Sequence, residues 1–159
     1  MSPARINESI HAHREKGLPK YQTLQPHYNL YTRESYERNY EPIAQQNHLG
    51  VIVYYALESG FLSGKYRKHS DIIKSPRGGK MENYFNERGF RILVALDEVA
   101  EEYTTTPAAV ALAWLIHRPS VTAPIVSATS NSQLQSIIEA PQLNLDTNAM
   151  QILNSASAY

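Results

Sequence analysis

The amino-acid sequence predicts an α/β fold in which about three parallel strands alternate with helices and the edges of the sheet stay open. Strand-like and helical segments alternate along the whole chain, which is typical of βαβ units. The predicted strands are short and continuously apolar, as expected for a parallel sheet that is covered on both faces. Two of them run into loops of small and polar residues, a pattern typical of a phosphate-binding rim.

The first third of the chain begins with a predicted helix over Pro3–Lys16. Ser2 can cap this helix, and Gly17 can end it because glycine accepts a left-handed backbone. A short strand is predicted over residues 21–25. A second helix is predicted over residues 35–47.

The second predicted strand covers residues 51–55, where five apolar or aromatic residues follow one another without alternation. This pattern predicts burial on both faces of the strand. Residues 67–83 are charged and irregular, and Pro76 and the Gly78-Gly79 pair oppose regular structure there. Loops of this length often serve as lids over a functional site.

The last part of the chain reads as a mainly helical region with one strand. Thr106 followed by Pro107 is a strong helix start, and the apolar segment after it predicts a well covered helix. The third strand is predicted over residues 121–126. Further helices are predicted over residues 84–103, 131–139 and 147–158.

Composition excludes several classes of function. Lys and Arg together number 15, as do Asp and Glu, so the formal net charge is zero and we expect neither a nucleic-acid partner nor a membrane partner. The absence of cysteine excludes disulfides and thiol chemistry, and no metal-binding spacing such as HExxH occurs. No apolar run approaches the roughly 20 residues of a membrane helix. The N-terminal segment lacks the apolar core of a signal peptide, and we predict a cytoplasmic protein.

Several segments, in this order and spacing, resemble the C-terminal half of the aldo-keto reductases, in the subgroup that includes the β-subunits of voltage-gated potassium channels. The resemblance covers nearly the whole chain. It rests on SPARINESI (residues 2–10), LQPHYNLYTRE (24–34), GVIVYYALESGFLSGKY (50–66), SPRGG (75–79) and TPAAVALAWLIHRPSVTAPIVSATSNSQL (106–134).

The resemblance implies the C-terminal part of a TIM (β/α)₈ barrel, an incomplete barrel, since complete ones need about 250 residues. Residues 1–159 are then one domain. This domain supplies the sixth, seventh and eighth βα units after the fifth helix, and the N-terminal half of the barrel is absent. The same interpretation explains why a three-stranded parallel sheet is left with open edges.

Enzymes of this family move a hydride between NADP(H) and a carbonyl group, and the resemblance implies a catalytic Asp, Tyr, Lys and His. All four belong to the first half of the barrel and have no matching position here. No catalytic residue is therefore predicted. The 11 tyrosines and six histidines of the chain are interpreted as ordinary polar or aromatic surface.

Two residues match the family's contacts to the nicotinamide end of the cofactor. Gln25 matches the glutamine that hydrogen-bonds the carboxamide, and the alternative is a surface amide at the end of a strand. Tyr54 matches the aromatic residue on which the nicotinamide ring stacks, and the alternative is an aromatic residue of the barrel wall.

The pyrophosphate contacts of the family fall on the next segment. Tyr55, Ala56 and Leu57 stand where the family has Ser-Pro-Leu, so backbone contacts can persist while the serine hydroxyl is lost. Ser59 follows in register, and Lys65 would add a positive charge. The alternative for Lys65 is a solvated loop cation.

The adenosine end is predicted in the loop after the third strand, where it leads into a helix. Thr129 and Gln133 match family contacts to the adenosine part, and Ser127 stands where the family often has glycine. No Lys or Arg lies between residues 121 and 159, so Arg77 is the candidate for a 2′-phosphate contact. The predicted cofactor is NADP(H).

Three hypotheses follow from the sequence. The first is an aldo-keto reductase fragment that carries the cofactor-binding half, lacks the catalytic tetrad and is inactive alone. The second is a half-barrel that forms a homo-oligomer or assembles with a complementary half-barrel. The third is a non-catalytic module with a dinucleotide-binding or regulatory role.

Overall fold

A computed structural model describes residues 1–72 and 81–159 and shows an open, three-stranded parallel sheet with helices. Strand β1 spans Thr23–Leu24, β2 spans Gly50–Val53 and β3 spans Ala123–Pro124, and their order in the sheet is β1-β2-β3. Each pair is parallel, as the sequence predicts. The fold class is therefore confirmed, and it is consistent with part of a (β/α)₈ barrel.

Residue pairs define the register of the sheet, and one bridge extends it beyond the strands. Leu24 pairs with Val51, and Val53 pairs with Pro124. Beyond β1, His27 and Tyr54 form an isolated parallel bridge. All three strands therefore present their carboxyl ends at one edge of the sheet.

Eight α-helices occur in the described residues, and 3₁₀ helices form at Glu58–Ser63, Glu82–Tyr84 and Ala140–Gln142. Helix α5 packs against α6 and α8, and α6 also contacts α7 and β3. The helices are α1 (Pro3–Lys16), α2 (Glu34–Asn39), α3 (Glu41–Gln46), α4 (His69–Ile72), α5 (Glu87–Glu102), α6 (Pro107–Ile116), α7 (Asn131–Glu139) and α8 (Thr147–Ala156).

Local signals for helix ends are confirmed. The Ser2 hydroxyl accepts the backbone N–H of Arg5 at the start of α1, and Gly17 ends that helix with a φ of 64°. The Thr106 hydroxyl accepts the N–H of Ala109 at the start of α6. These caps depend only on residues within the same helix turn, which is why the sequence reveals them.

Two predictions about the first half are wrong in detail. The helix predicted over residues 35–47 is two helices that meet at Tyr40, because Pro42 has no N–H and cannot donate to the turn before it. Strand β2 is not buried on both faces. Val51 and Val53 are fully buried whereas Ile52 is only half-buried, because one face of the sheet lacks a complete covering layer.

The predicted loop of residues 67–83 contains some regular structure. Helix α4 lies within it, and a 3₁₀ turn forms at Glu82–Tyr84. Pro76 and the glycine pair lie outside the described residues. The third strand is predicted over residues 121–126 but is formed only at Ala123–Pro124, flanked by hydrogen bonds from the N–H groups of Thr122 and Ile125 to the carbonyls of Val51 and Val53.

The core lies between the buried face of the sheet and the α5, α6 and α8 layer. Helix α6 is buried along most of its length, as its apolar sequence predicts. Trp114 of this helix donates its Nε1–H to the Asn154 side chain of α8 at 3.0 Å. No helix in the described ranges is both long and apolar enough to cross a membrane. The largest fully buried side chains are Trp114, Tyr28, Tyr36, Phe61, Leu30, Leu62, Met81, Ile92, Leu93, Leu96, Leu112 and Leu115.

Candidate cofactor site

A cavity of about 500 Å³ lies beside β1 and extends from Tyr21 and Leu49, before the strands, to the carboxyl ends of β1 and β2. Gln25, His27 and Tyr54 line it, together with residues of α1 and α2. Gln25 is exposed at the end of β1, and Tyr54 is 39% exposed just after β2. The structure therefore brings Gln25 and Tyr54 to one cavity, and their contacts to a nicotinamide stay a prediction.

Three aromatic rings cluster at this end of the cavity. The imidazole of His27 stacks on the ring of Tyr54, with 5.3 Å between centroids and 29° between planes. The ring of Tyr55 meets His27 edge-on at 5.3 Å and lies 5.2 Å from Tyr54. Since Tyr55 is 49% exposed, two tyrosine rings stand open at the place predicted for the nicotinamide and pyrophosphate.

The chain turns sharply after β2 through backbone that is unusual for residues other than glycine. Tyr55, Glu58 and Ser59 have φ values of 55°, 46° and 56°. Such left-handed residues are uncommon and concentrate at functional sites, where surrounding contacts hold them. Ala56 is buried within this turn and Leu57 is half-buried, so these two predicted contact residues can offer mainly backbone to a ligand.

The turn is organised by Glu58, which is only 2% exposed. Its Oε2 accepts hydrogen bonds from His27 Nε2 at 2.8 Å, from Thr32 Oγ1 at 3.1 Å and from Asn29 Nδ2. Its Oε1 accepts the Tyr84 hydroxyl at 2.6 Å. A buried carboxylate that accepts hydrogen bonds from four donors is a satisfied polar group and not an unpaired buried charge.

The protonation of this cluster follows from its contacts. Burial alone would raise the pKa of Glu58, but the hydrogen bonds from His27, Tyr84 and Asn29 outweigh it and hold the pKa below its usual value. Burial and the hydrogen bond to Glu58 raise the pKa of the Tyr84 phenol. Glu58 is therefore ionised at neutral pH, and Tyr84 is a protonated donor to it.

Asn29 connects the carboxylate to the backbone of the turn. It is fully buried, and its amide nitrogen donates to the carbonyl oxygen of Tyr55 at 2.9 Å. Its amide oxygen accepts the backbone N–H groups of Tyr31 and Thr32, both at 2.8 Å. The loop after β1 thus holds the left-handed turn after β2 in place.

The ammonium group of Lys65 lies over a neighbouring aromatic ring. Its Nζ lies 4.8 Å from the centroid of the Tyr66 ring, a cation–π arrangement between neighbouring residues. Its side chain also passes over Gly60, where an added Cβ would come within 2.9 Å of the lysine Cε. The role of Lys65 and of half-buried Ser59 in binding stays a prediction.

The loop after β3 leads into α7, as predicted. Ser130 caps α7 by accepting the N–H of Gln133 at 3.3 Å. The Gln133 amide oxygen in turn accepts the N–H and the hydroxyl of Thr129, at 2.8 and 3.1 Å. The arrangement is similar to a capping box, except that Gln133 accepts from the residue before the cap, and it leaves the amide NH₂ of Gln133 as the group that can donate to a ligand.

Two further observations complete the site. Ser127 is exposed at the end of β3, at the same edge of the sheet as Gln25 and Tyr54. Arg77, the candidate for a 2′-phosphate contact, lies outside the described residues. Among the described residues, no group of His, Asp or Glu is arranged to hold a metal ion.

Comparison with known proteins decides the family. The model of the aldo/keto reductase family matches residues 2–158. This chain belongs to the aldo/keto reductase family. The resemblance carried by the segments named above is therefore confirmed.

Individual relatives within the aldo/keto reductase family carry different names. A probable voltage-gated potassium channel subunit beta of Arabidopsis thaliana is 32% identical over 123 residues, which cover 73% of this chain and 37% of the relative. An uncharacterised oxidoreductase of Bacillus subtilis is 30% identical over 132 residues, covering 83% and 39%. An L-glyceraldehyde 3-phosphate reductase of Escherichia coli is 28% identical over 145 residues, covering 87% and 42%.

The chain thus spans about two fifths of the length of these aldo/keto reductase relatives. The matched region includes every predicted cofactor residue, because the family model extends over residues 2–158. Sequence reasoning missed His27 and Glu58. The available signal was weak: a histidine just after β1 and an acidic residue inside an otherwise uncharged loop.

Proposed function

We propose that this chain carries the cofactor-binding part of an NADP(H)-dependent carbonyl reductase and lacks the groups that complete the reaction. One observation carries the proposal. The parallel strands bring Gln25, Tyr54 and the loop of residues 127–133 to the same edge of the sheet. Membership of the aldo/keto reductase family supports it.

The described residues fit the chemistry of a dinucleotide. Gln25 offers an exposed amide for a carboxamide, and the exposed ring of Tyr54 offers a surface for a planar heterocycle. The capped N-terminus of α7 and the NH₂ group of Gln133 fit a phosphate or an adenosine. A bound NADPH would supply the hydride that goes to a carbonyl carbon.

The proton for the carbonyl oxygen has no evident source in the described residues. A tyrosine acid needs a lowered pKa, whereas burial and the bond to Glu58 raise the pKa of Tyr84. The hydroxyl of Tyr84 is also committed to that carboxylate at 2.6 Å. We therefore infer that the chain binds the cofactor and turns over slowly or not at all by itself.

Binding is tested by titrating the 159-residue chain with NADPH and following calorimetric heat or cofactor fluorescence. We expect saturable binding below millimolar cofactor, and a loss of affinity of about tenfold for Tyr54→Ala because a stacking surface is removed. Phe90→Ala is the matched control, since Phe90 is a similarly exposed aromatic residue on α5. Absence of binding at millimolar NADPH would overturn the proposal.

Turnover is tested separately by NADPH oxidation with an aromatic aldehyde such as 4-nitrobenzaldehyde. We expect a rate that does not exceed the background without protein. Robust turnover by this chain alone would show that the inferred dependence on a missing half of the barrel is wrong.

A second candidate function is assembly with a complementary part of a barrel or with a second copy. In the described part of the chain, β1 and β3 are the outer strands and each has one hydrogen-bonded neighbour. Unpaired strand edges favour pairing with another chain. Light scattering at micromolar concentration tests this assembly. A monodisperse monomer that forms no complex with the co-expressed N-terminal half of an aldo/keto reductase barrel would argue against it.

A further inference from the structure

We propose that His27 and Glu58 form a positioning pair that holds the rings of Tyr54 and Tyr55 for the dinucleotide, and that protonation of His27 tunes the affinity of the site. This inference rests on the proposed function, because it concerns the same cavity. It adds two residues for which neither the sequence pattern nor the resemblance gives a role.

His27 lies between the buried carboxylate and the exposed tyrosine. Its Nε2 is 2.8 Å from Glu58 Oε2, and its ring stacks on Tyr54 with 5.3 Å between centroids. The side chain of His27 is 30% exposed whereas that of Glu58 is 3% exposed. The hydrogen bond to the buried Glu58 therefore fixes the orientation of the imidazole, and the imidazole packs against one face of the Tyr54 ring.

The hydrogen bonds define which nitrogen of His27 can titrate. Glu58 is an ionised acceptor, so His27 must donate its Nε2–H to it. The amide NH₂ of Asn29 lies 3.4 Å from the same nitrogen but is itself a donor, and it serves Glu58 and the Tyr55 carbonyl. Protonation therefore occurs at Nδ1, for which no hydrogen bond is found within the described residues.

A charge on His27 strengthens its contact with the Glu58 carboxylate. With Nδ1 neutral, the contact to Glu58 is a hydrogen bond to a carboxylate, and with Nδ1 protonated it becomes an ion pair in a partly buried site. The stronger contact restricts the imidazole and hence the ring of Tyr54. Pre-organised groups bind a ligand more tightly because less ordering remains to be done on binding.

Tyr55 is held by the second arm of the same cluster. Glu58 accepts a hydrogen bond from Asn29, and Asn29 donates to the carbonyl oxygen of Tyr55, whose φ is 55°. A left-handed tyrosine persists only where its surroundings hold it there. Both exposed rings of the site are thus positioned through one carboxylate.

Few other groups near the pair change charge around neutral pH. Among side chains, histidine is the type whose charge ordinarily changes near neutral pH. The pH dependence is therefore assigned by comparing variants rather than from the wild-type profile alone. The titratable or charged groups around the pair are Tyr54, Tyr55, Tyr84, Tyr31 with Arg88 over its ring, and the α-amino group of Met1 in the cavity wall.

The decisive variant is His27→Gln, because its amide can still donate to Glu58 but cannot take up a proton near neutral pH. NADPH affinity is measured at pH 6.0 and pH 8.0 for the wild type and for this variant. We expect the wild type to bind NADPH at least about threefold more tightly at pH 6.0 than at pH 8.0, after division by the change in affinity that the variant shows between the same pH values. Equal pH dependence in both proteins would overturn the tuning by His27.

A second arm uses the ligand-free chain and does not depend on NADPH. Two-dimensional NMR follows the aromatic signals of His27, Tyr54 and Tyr55 between pH 5.5 and 8.5. We expect the Tyr54 signals to follow the titration of His27 in the wild type and to lose this response in Glu58→Gln, whose folding is checked by circular dichroism. Tyr54 signals that ignore the titration of His27 in the wild type would overturn the positioning pair.

The two arms separate the two proposals. If the wild type binds no NADPH, the proposed function fails, and the NMR titration still decides whether the pair positions Tyr54. If the wild type binds NADPH and Tyr54 ignores His27, the positioning pair fails and the proposed function stands. If Glu58→Gln does not fold, the response of Tyr54 in His27→Gln replaces it, and a response that equals the wild type overturns the pair.

Discussion

Glu58 combines two features that destabilise a folded chain when they stand alone. Its carboxylate is buried, and its backbone has a φ of 46°. Removing a charge from water costs several kcal/mol, and a left-handed residue without a compensating contact costs about 1 kcal/mol or more. Four hydrogen-bond donors to the carboxylate offset the cost of removing its charge from water. The hydrogen bonds from Asn29 to Glu58 and to the Tyr55 carbonyl hold the left-handed turn in place. Glu58 is tolerated at this position because these hydrogen bonds compensate both for its burial and for its left-handed backbone.

At the scale of a residue, Tyr84→Phe should destabilise the chain by about 1–3 kcal/mol. The substitution removes the hydroxyl that donates to Glu58 Oε1 at 2.6 Å and leaves this buried oxygen without its donor. Tyr21→Phe makes the same chemical change on a side chain that is 53% exposed, and it should be nearly neutral. Urea unfolding of both variants measures the difference, and equal midpoints would contradict the role given to Tyr84.

The sequence predicts single residues of the site unevenly. Gln25 and Tyr54 are found because both match family contacts to the nicotinamide near the ends of predicted strands, and the structure places both at one cavity. Glu58 and His27 are missed because the reason for their presence is a contact across 31 positions of sequence. A carboxylate inside a loop normally signifies a solvated surface, and only tertiary structure shows that this one is buried.

At the scale of an element, local signals predict helix ends better than strand lengths. The caps at Ser2 and Thr106 and the glycine at position 17 act within one turn of their helices, so the sequence alone reveals them. Strand lengths depend on partners far away in sequence. The third strand is only two residues long because hydrogen bonds to β2 end at Ile125, which bonds the Val53 carbonyl at 2.8 Å.

Helix α5 supplies a sharp test at the scale of an element, because its first turn contains Gly89. A Cβ at this position would overlap the carbonyl oxygen of Tyr84 and come within 3.1 Å of Phe61 Cζ. Gly89→Ala should therefore destabilise the chain by about 2 kcal/mol or more, despite the higher helix propensity of alanine. It should also displace Tyr84 from Glu58.

The control for this prediction is Val94→Ala on the same helix. Val94 is 64% exposed, and alanine favours a helix, so we expect a change within about 0.5 kcal/mol. Thermal unfolding followed by circular dichroism compares the two variants. An unchanged midpoint for Gly89→Ala would mean that α5 and the turn before it can move apart freely.

At the scale of the whole molecule, alternation of strands and helices predicts the parallel sheet correctly. The extent of the sheet's covering is not predicted, because an apolar strand has the same sequence whether or not a complete barrel surrounds it. Val51 and Val53 are buried by the helical layer, whereas Ile52 on the other face is only half-buried. This uneven burial agrees with a chain that spans about two fifths of its relatives.

The stability of the whole chain should fall in acid through two carboxylates, the buried Glu58 and the half-buried Glu37. Glu37 accepts hydrogen bonds from Tyr28 and Arg33 at 2.7 and 2.8 Å, and these bonds hold its pKa down although burial alone would raise it. Both groups therefore have a folded-state pKa below the ordinary value of 4.5. At a pH between the folded-state pKa and the ordinary pKa of each group, the unfolded chain binds more protons than the folded chain, so acid favours unfolding.

The stabilisation from these two carboxylates is fully present above about pH 4.5 and is lost as the pH falls through their folded-state pKa values. We expect the free energy of unfolding to drop by about 1–3 kcal/mol between pH 6 and pH 3. Glu58→Gln should be less stable at pH 6 and should lose less on acidification, because one of the two linked protonations is gone. Glu101→Gln, on an exposed position of α5, should keep the wild-type pH dependence. Urea unfolding of all three proteins at both pH values measures this, and parallel losses in the wild type and Glu58→Gln would mean that the carboxylate does not carry the acid sensitivity.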